Sequence, residues 1–270
     1  MQSCDDTMTL PAHRNAAHML SGAILKTVLA KARFRDDPAR SKKQQAEDKL
    51  AAVIQAYFRR LHKKTVARLN NNPPKQQAEK AAPVFDDAFF DDDNFAEELL
   101  KVLAEAIKSG VLLLTSMVTL EIDINAVNKE ALTAIQKYAF DLIKDLTATT
   151  REVLQSVISE FITTPGMTLG DVIERLPYSE SRAALIATTE ITRAYAEGQR
   201  IAGEATAEAW PDVPVTKMWH TNMDDRVCPI CAPLDGAVVD IDEDFDPEFE
   251  LPPAHPACRC WISYRTNINA

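Results

Sequence analysis

The chain has 270 residues, a net charge of −10 and only seven glycines, and aromatic residues make up 7% of it. Few glycines and few aromatic residues argue against an all-β protein, whereas abundant Ala, Leu, Lys and Glu favour helices. The longest apolar run, within residues 111–120, is too short to cross a bilayer, and residues 1–14 lack the apolar core of a signal peptide. We therefore expect a soluble, mainly α protein that has no membrane partner as a free chain.

The charges are segregated along the chain. Residues 31–80 contain fourteen Lys and Arg against five Asp and Glu, whereas residues 86–98 contain seven acids and no base. Residues 224–250 contain ten acids and a single base, Arg226. Such segregation indicates either that different parts of the chain meet different partners, or that charged faces attract one another within one molecule or between neighbours.

The first strong helical pattern covers residues 44–69, after a weaker one at residues 21–34. Apolar side chains recur there at spacings of three and four, and the prolines at 73 and 74 follow its end. The other face of this helix carries a row of cations, namely Arg59, Arg60, Lys63, Lys64 and Arg68. This basic face could bind DNA phosphates, or its cations could meet the acidic residues 86–98 or an acidic partner.

A helical body follows a polar linker at residues 71–83. We predict three helices in it, over residues 95–120 with an interruption at Ser109-Gly110, over 125–146 and over 150–162. Thr168 and Asp171 have the spacing of a capping box, which predicts a short helix. Ser179 is the predicted N-cap of the longest helix, which Pro211 ends.

After residue 214 the pattern changes to short apolar runs that are typical of strands, and Trp219 and Trp261 are the predicted aromatic core of this part. The predicted fold is therefore a mainly helical body with a small C-terminal α+β module. The predicted divisions are a flexible, basic, helical N-terminal region (1–83), the helical body (84–178) and the C-terminal module (179–270).

Four of the five cysteines and one histidine fall within a short stretch, as Cys228-Pro-Ile-Cys231 and, after twenty-three intervening residues, His255-Pro-Ala-Cys258-Arg-Cys260. Two pairs of such ligands separated by a loop are typical of a tetrahedral Zn²⁺ site, so we expect a zinc-tied C-terminal module. Four of the five donors would bind the ion, and the pattern does not choose among His255, Cys258 and Cys260 for the last places. The alternative is a disulfide or a set of buried free thiols.

A thiolate-rich zinc site is usually closed and structural, because a catalytic zinc keeps one ligand position for water. The alternative is a zinc-dependent hydrolase, with Glu190 or Asp225 as general base. The sequence has no His-Glu-x-x-His pattern, and only His220 and His255 lie near the cluster. We therefore expect a structural metal and no enzymatic activity.

The motifs follow one another in a characteristic order: Arg182, Thr189-Glu190 and Arg193 on one helix, then Trp219-His-Thr-Asn-Met-Asp224-Asp225-Arg226-Val-Cys228-Pro-Ile-Cys231, then Leu234-Asp235-Gly236, then His255-Pro-Ala-Cys258-Arg-Cys260. In order and spacing they resemble the phage head morphogenesis domain, the family of Mu F-like minor head proteins. The resemblance covers residues 170–265 well and residues 95–170 only in helical character.

The resemblance implies a structural minor capsid protein of a tailed bacteriophage. Its expected partners are the portal protein and capsid or scaffold proteins, and its expected roles are head assembly, DNA packaging or DNA delivery. It would lie in the virion, in the capsid interior or portal region, and in the host cytoplasm during assembly. The second hypothesis is a virion protein that binds phage DNA through the basic helix, with the zinc module as a brace.

Four further residues are candidates for supporting the metal module, namely Arg182, Glu190, Asp225 and Asp235. Glu190 either orients the module through a backbone N–H or Arg226, or lies on a solvated helix face beside Arg193. Asp225 or Asp235 could accept a hydrogen bond from the N–H of a ligand. For Asp235 the preferred interpretation is a type I′ hairpin turn with the glycine that follows it.

Overall fold

The computed structural model describes residues 37–75, 85–118, 120–222 and 227–266. These residues are mainly helical, with a small antiparallel sheet near the C-terminus, as predicted. The helices are α1 (Arg40–Asn71), α2 (Asp87–Phe90), α3 (Asp93–Met117), α4 (Ile124–Thr163), α5 (Leu169–Glu174) and α6 (Glu180–Ala209), and the strands are β1 (Val215–His220), β2 (Val238–Asp240) and β3 (Trp261–Thr266). The helix predicted at residues 21–34 lies outside the described residues.

Helix α1 confirms the pattern that predicted it. Leu50, Ile54, Phe58 and Leu61 recur at spacings of three and four, and all four are at most 1% exposed. Such spacing places them on one side of the helix, which packs against α3 and α6. Within the described residues, no helix is both long enough and apolar enough to cross a membrane.

The interruption predicted at Ser109-Gly110 is wrong, because α3 runs through both residues. Gly110 serves a close helix contact instead. A Cβ atom built on it would lie 2.3 Å from the carbonyl oxygen of Tyr195 on α6. The absence of a side chain therefore lets the two backbones approach, and this contact offsets the destabilising effect of a glycine inside a helix.

The predicted break between residues 146 and 150 is also wrong, since α4 is one helix of 40 residues. It is therefore longer than α6, which has 30 residues. The hydroxyls of Thr149 and Thr150 donate to the Leu146 carbonyl of the preceding turn, at 3.2 and 2.6 Å. Because the hydroxyls are satisfied inside the helix, this threonine-rich stretch does not end it.

Both predicted N-caps are confirmed. Thr168 and Asp171 form a reciprocal capping box at the start of α5, and the Ser179 hydroxyl accepts a hydrogen bond from the backbone N–H of Arg182 at 3.2 Å. Each side chain satisfies backbone donors that the first helical turn leaves unpaired. The start of α6 is thereby fixed at Glu180.

Helix α6 lies between the helical body and the sheet. It packs against α3 and α1, and a Cβ atom on its Gly198 would lie 2.1 Å from the carbonyl oxygen of Ile107. The sheet has the order β2-β1-β3, with both pairs antiparallel. Gly203 faces this sheet, because a Cβ atom there would lie 2.9 Å from the side chains of Ile241 and Tyr264. One hydrophobic core therefore includes residues of the long helices and of the sheet.

Replacing Gly198 by Ala is expected to destabilise the fold by at least about 2 kcal/mol, because the added methyl group meets the α3 backbone, which cannot move without separating the helices. The control is Gly170→Ala, where the nearest atom to the new Cβ is 3.4 Å away. That variant should be neutral or slightly more stable, since Ala favours a helix over Gly by about 1 kcal/mol. Denaturant unfolding of the two variants measures the difference, and equal stability would disprove the close packing of α3 and α6.

Candidate metal centre

The structure brings the four clustered cysteines and His255 together between the end of β1 and the start of β3. Cys228 and Cys231 lie on a tight turn in which the N–H of Ala232 donates to the Cys228 carbonyl at 3.0 Å. His255 and Cys258 lie on a second turn, in which the Cys258 N–H donates to the His255 carbonyl at 3.1 Å. Two ligand-bearing turns therefore face each other across one site.

The donor atoms lie at distances that suit one metal ion. His255 Nε2 is 3.0 Å from Cys228 Sγ and 3.2 Å from Cys231 Sγ, and Cys231 Sγ is 3.7 Å from Cys258 Sγ. The edges of a tetrahedral zinc site are about 3.8 Å between two sulfurs and about 3.6 Å between sulfur and nitrogen. Two overlapping triads have ligand atoms within 4.8 Å of one another, Cys228-Cys231-His255 and Cys231-Cys258-Cys260. The cluster could therefore hold a metal ion.

The orientation of His255 leaves its Nε2 atom available to bind a metal. His255 Nδ1 is 2.8 Å from the carbonyl oxygen of Pro256. A carbonyl only accepts, so Nδ1 carries the proton and Nε2 presents its lone pair to the sulfurs. Metal-bound histidines in proteins commonly have this arrangement, with the second ring nitrogen donating to a carbonyl.

The four sulfurs are buried and reduced. Each cysteine of the cluster is at most 7% exposed, and all four are free thiols. Hydrogen bonds from Cys231 and Cys260 lower the pKa of the Cys258 thiol, while the hydrogen bond to Cys258 raises the pKa of the Cys231 thiol. The donors line a small cavity of about 30 Å³, more than the roughly 10–15 Å³ that one water molecule needs. The cavity is therefore large enough for an ion.

Three side chains of α6 hold the segment that carries the last ligands, a role that the sequence pattern did not assign to them. Thr189 Oγ1 accepts from the Ala257 N–H at 2.8 Å, and Thr192 Oγ1 donates to the Cys258 carbonyl at 3.1 Å. Gln199 Nε2 donates to the Ile262 carbonyl at 3.1 Å. The sequence signal for them is a row of polar residues on one side of the helix. When that side is buried, its polar groups need hydrogen-bond partners from outside the helix.

Arg182 lies away from the metal donors. Its guanidinium donates to the hydroxyls of Thr149 and Thr150 at 3.1 Å each and to the Pro177 carbonyl at 2.7 Å, and it lies over the ring of Phe58. These contacts join α4, α6 and α1. The residue therefore ties helices of the body together.

Glu190 is 8% exposed, so the alternative of a solvated helix face is wrong for it. Its Oε2 atom lies 3.5 Å from Arg193 Nε and has no hydrogen-bond partner among the described residues. Burial raises the pKa of the Glu190 carboxyl, although Arg193 opposes this shift. The suggested partner Arg226 lies outside the described residues, as does Asp225.

Asp235 supports the rim of the metal cavity without forming the predicted type I′ turn. A type I′ turn needs positive φ at both central residues, but Asp235 has φ −60° and ψ 122° while Gly236 has φ 78°. This is a type II turn, closed by the Ala237 N–H donating to the Leu234 carbonyl at 3.0 Å. Asp235 Oδ1 accepts from the backbone N–H and the hydroxyl of Thr221, at 2.7 and 2.9 Å.

The two predicted core tryptophans are confirmed, with exposures of 0% for Trp219 and 2% for Trp261. The ring of His220 stacks on Trp261 at 4.0 Å, and His220 Nε2 lies 2.7 Å from Ser263 Oγ. Burial lowers the pKa of His220 to about 4. This histidine therefore belongs to the sheet packing and not to the donor triads.

The basic face of α1 is partly engaged within the molecule. Arg60 Nε lies 2.6 Å from Asp92 Oδ2, Lys64 Nζ lies 3.4 Å from the Phe89 carbonyl, and the Arg68 guanidinium lies over the Phe85 and Phe89 rings. These contacts favour the alternative in which the cations meet the acidic segment. Arg59 and Lys63 are exposed, and binding of DNA by this face remains a prediction.

The Glu190→Gln variant is expected to lose less stability than the wild type as the pH rises. An acid whose pKa is raised by folding stabilises the protein below its ordinary pKa, and this contribution is lost as the pH rises through the raised value. The free energy of unfolding, measured from about pH 4 to about pH 7, should therefore fall more steeply for the wild type. Glu208→Gln, at an exposed position of the same helix, should follow the wild type. Parallel curves for wild type and Glu190→Gln would contradict the burial of an ionisable carboxyl here.

Comparison with known proteins identifies the part of the chain that carries this centre. The family model for Phage Mu protein F like protein matches residues 164–263. The match includes α5, α6, β1, β2 and all five metal donors, and it covers a little over a third of the chain. No curated protein and no solved structure gives a significant match. Residues 164–263 are thus similar to the Phage Mu protein F-like family, as the order of the motifs predicted.

Proposed function

We propose that the chain is a structural minor head protein of a tailed bacteriophage, which associates with the portal and the inner capsid of the virion. The observation that carries this proposal is the family match over residues 164–263, which includes α6 and every donor of the metal centre. Head assembly, DNA packaging and DNA delivery are the steps in which a protein at this location would act.

The metal in this proposal is Zn²⁺ in a structural role. Thiolate and imidazole donors in a tetrahedral arrangement favour zinc over hard cations, which prefer oxygen ligands. The sheet has only three short strands, so its own core is small. A structural zinc contributes on the order of 10 kcal/mol to the folding of small modules, and it would fix the segment between β2 and β3 here.

The geometry supports a structural site over a hydrolytic one. A hydrolytic zinc needs a ligand position for water beside a cleft that admits a substrate. Among the described residues the donors line a small cavity of about 30 Å³, and the candidate base Glu190 is paired with Arg193 on α6. We therefore propose that the protein has no catalytic role.

The metal is tested by elemental analysis of the purified full-length protein. One zinc per chain is expected, and a Cys228→Ser, Cys231→Ser variant should lose it and become sensitive to protease within residues 215–266, because two of the donors are gone. The control is Cys4→Ser, which removes a thiol outside the cluster and should keep the metal. A wild type that is free of metal and resistant to protease at its C-terminus would disprove the zinc site.

The location is tested in the phage or prophage that carries the gene. Quantitative mass spectrometry of purified particles should find the protein in heads separated from tails, at low copy number. A nonsense mutation in the gene should reduce the titre and give heads that are empty or malformed, with rescue by the gene in trans. A normal titre with normal heads, or a protein absent from particles, would disprove a role in the head.

A further inference from the structure

The metal centre has five donors, while a tetrahedral ion accepts four. Cys231 belongs to both triads, so the choice concerns the donors that accompany it. Cys260 lies within 4.8 Å of Cys231 and Cys258 and competes with His255 and Cys228 for the ion. The surroundings of the two ligand-bearing turns indicate which four of the five donors bind the ion.

We propose that Cys228, Cys231, His255 and Cys258 hold the metal, that Thr189 and Thr192 of α6 position Cys258, and that Cys260 stays outside the coordination sphere. This inference rests on the proposed metal site and adds the identity of its ligands and of two positioning residues.

The first argument is the equal spacing of the ligands on the two turns. Cys228 and Cys231 are three residues apart, and so are His255 and Cys258. Each pair lies on a turn that a backbone hydrogen bond closes, at 3.0 and 3.1 Å. Two such turns supply two ligands each, which completes a tetrahedron. Cys260 belongs to neither turn, since it immediately precedes strand β3.

The second argument is distance. The sulfurs of Cys231 and Cys258 are 3.7 Å apart, which matches the sulfur–sulfur edge of about 3.8 Å in a tetrahedral zinc site. His255 Nε2 contacts both sulfurs of the first turn at 3.0 and 3.2 Å, a few tenths of an ångström less than the corresponding edge of about 3.6 Å. Cys258 does not belong to the group formed by Cys228, Cys231 and His255, so binding of the ion requires the turn of Cys258 to move toward the first turn as well as a small opening of the His255 contacts.

The third argument is the way in which α6 holds the backbone at Cys258. Ala257 has φ 60°, in the left-handed region that residues with a side chain rarely adopt. The hydroxyl of Thr189 accepts from the Ala257 N–H, and the hydroxyl of Thr192 donates to the Cys258 carbonyl. Hydrogen bonds on both sides of the Cα atom of Cys258 fix the direction of its side chain. They keep this strained turn in place and aim the sulfur at Cys231.

The ligand assignment is tested with matched serine variants, Cys258→Ser and Cys260→Ser, in the full-length protein loaded with Co²⁺. The sulfur-to-cobalt charge-transfer absorption reports the number of bound thiolates. Wild type and Cys260→Ser should show the same intensity and affinity, whereas Cys258→Ser should drop from three thiolates to two and bind more than about tenfold less tightly. A weaker charge-transfer absorption or a lower affinity in Cys260→Ser, alone or equal to that in Cys258→Ser, would overturn the assignment. A wild type that binds neither Co²⁺ nor Zn²⁺ would instead refute the metal site itself.

The positioning role is tested with the double variant Thr189→Val, Thr192→Val, which removes both hydroxyls at nearly constant shape. Its zinc affinity, measured by competition with a chelator, should fall about 10–100-fold, and Ser at both positions should restore it. The control is Thr206→Val on the same helix, because the buried Thr206 hydroxyl donates only to the Ala202 carbonyl of α6 at 2.7 Å. The Thr206→Val variant can have a lower melting temperature but should keep its zinc affinity. An unchanged zinc affinity in the double variant, or an equal loss of affinity in Thr206→Val, would overturn the positioning role. If the double variant does not fold, the two single variants give the same comparison.

Discussion

The close contact between the backbones of α3 and α6 is the constraint on which the rest of this structure depends. Gly110 and Gly198 face the opposite helix without a side chain, so that carbonyl groups of α3 and α6 lie where a Cβ atom would otherwise be. This contact sets the position of α6 relative to the body. Every hydrogen bond that α6 makes to the segment before β3 depends on that position.

The helical body and the metal centre therefore share one helix. One side of α6 packs on α3, and another side carries Thr189, Thr192 and Gln199, which hold the backbone around the last ligands. A core that includes both the helices and the sheet joins these two sides. Metal binding would thus stabilise the docking of the sheet on α6 as well as the sheet itself.

Local signals predicted the parts of this fold that local interactions decide. The caps at Thr168 and Ser179 and the spacing of apolar residues in α1 needed no knowledge of distant partners. The predicted interruption at Gly110 was wrong because this glycine serves the contact with α6. The predicted break near residue 150 was wrong because the threonine hydroxyls form hydrogen bonds within the helix. The cysteine pattern predicted the cluster, but the threonines that support it lie more than sixty residues away in sequence, and residue spacing carries no signal for such contacts.

The segment between the two ligand-bearing turns has a consequence for how this domain can vary. Residues 232–254 leave one turn and return to the other, and the ring of Phe245 anchors them on Trp219 at 5.3 Å. The entropy of closing a loop grows only with the logarithm of its length, so that doubling it costs about 0.6 kcal/mol. Insertions between this anchor and His255, or changes in the acidic residues there, would therefore cost the metal centre little. A bound metal would separate the geometry of this part of the chain from the chemistry of the loop, and it would leave the loop surface free to diverge.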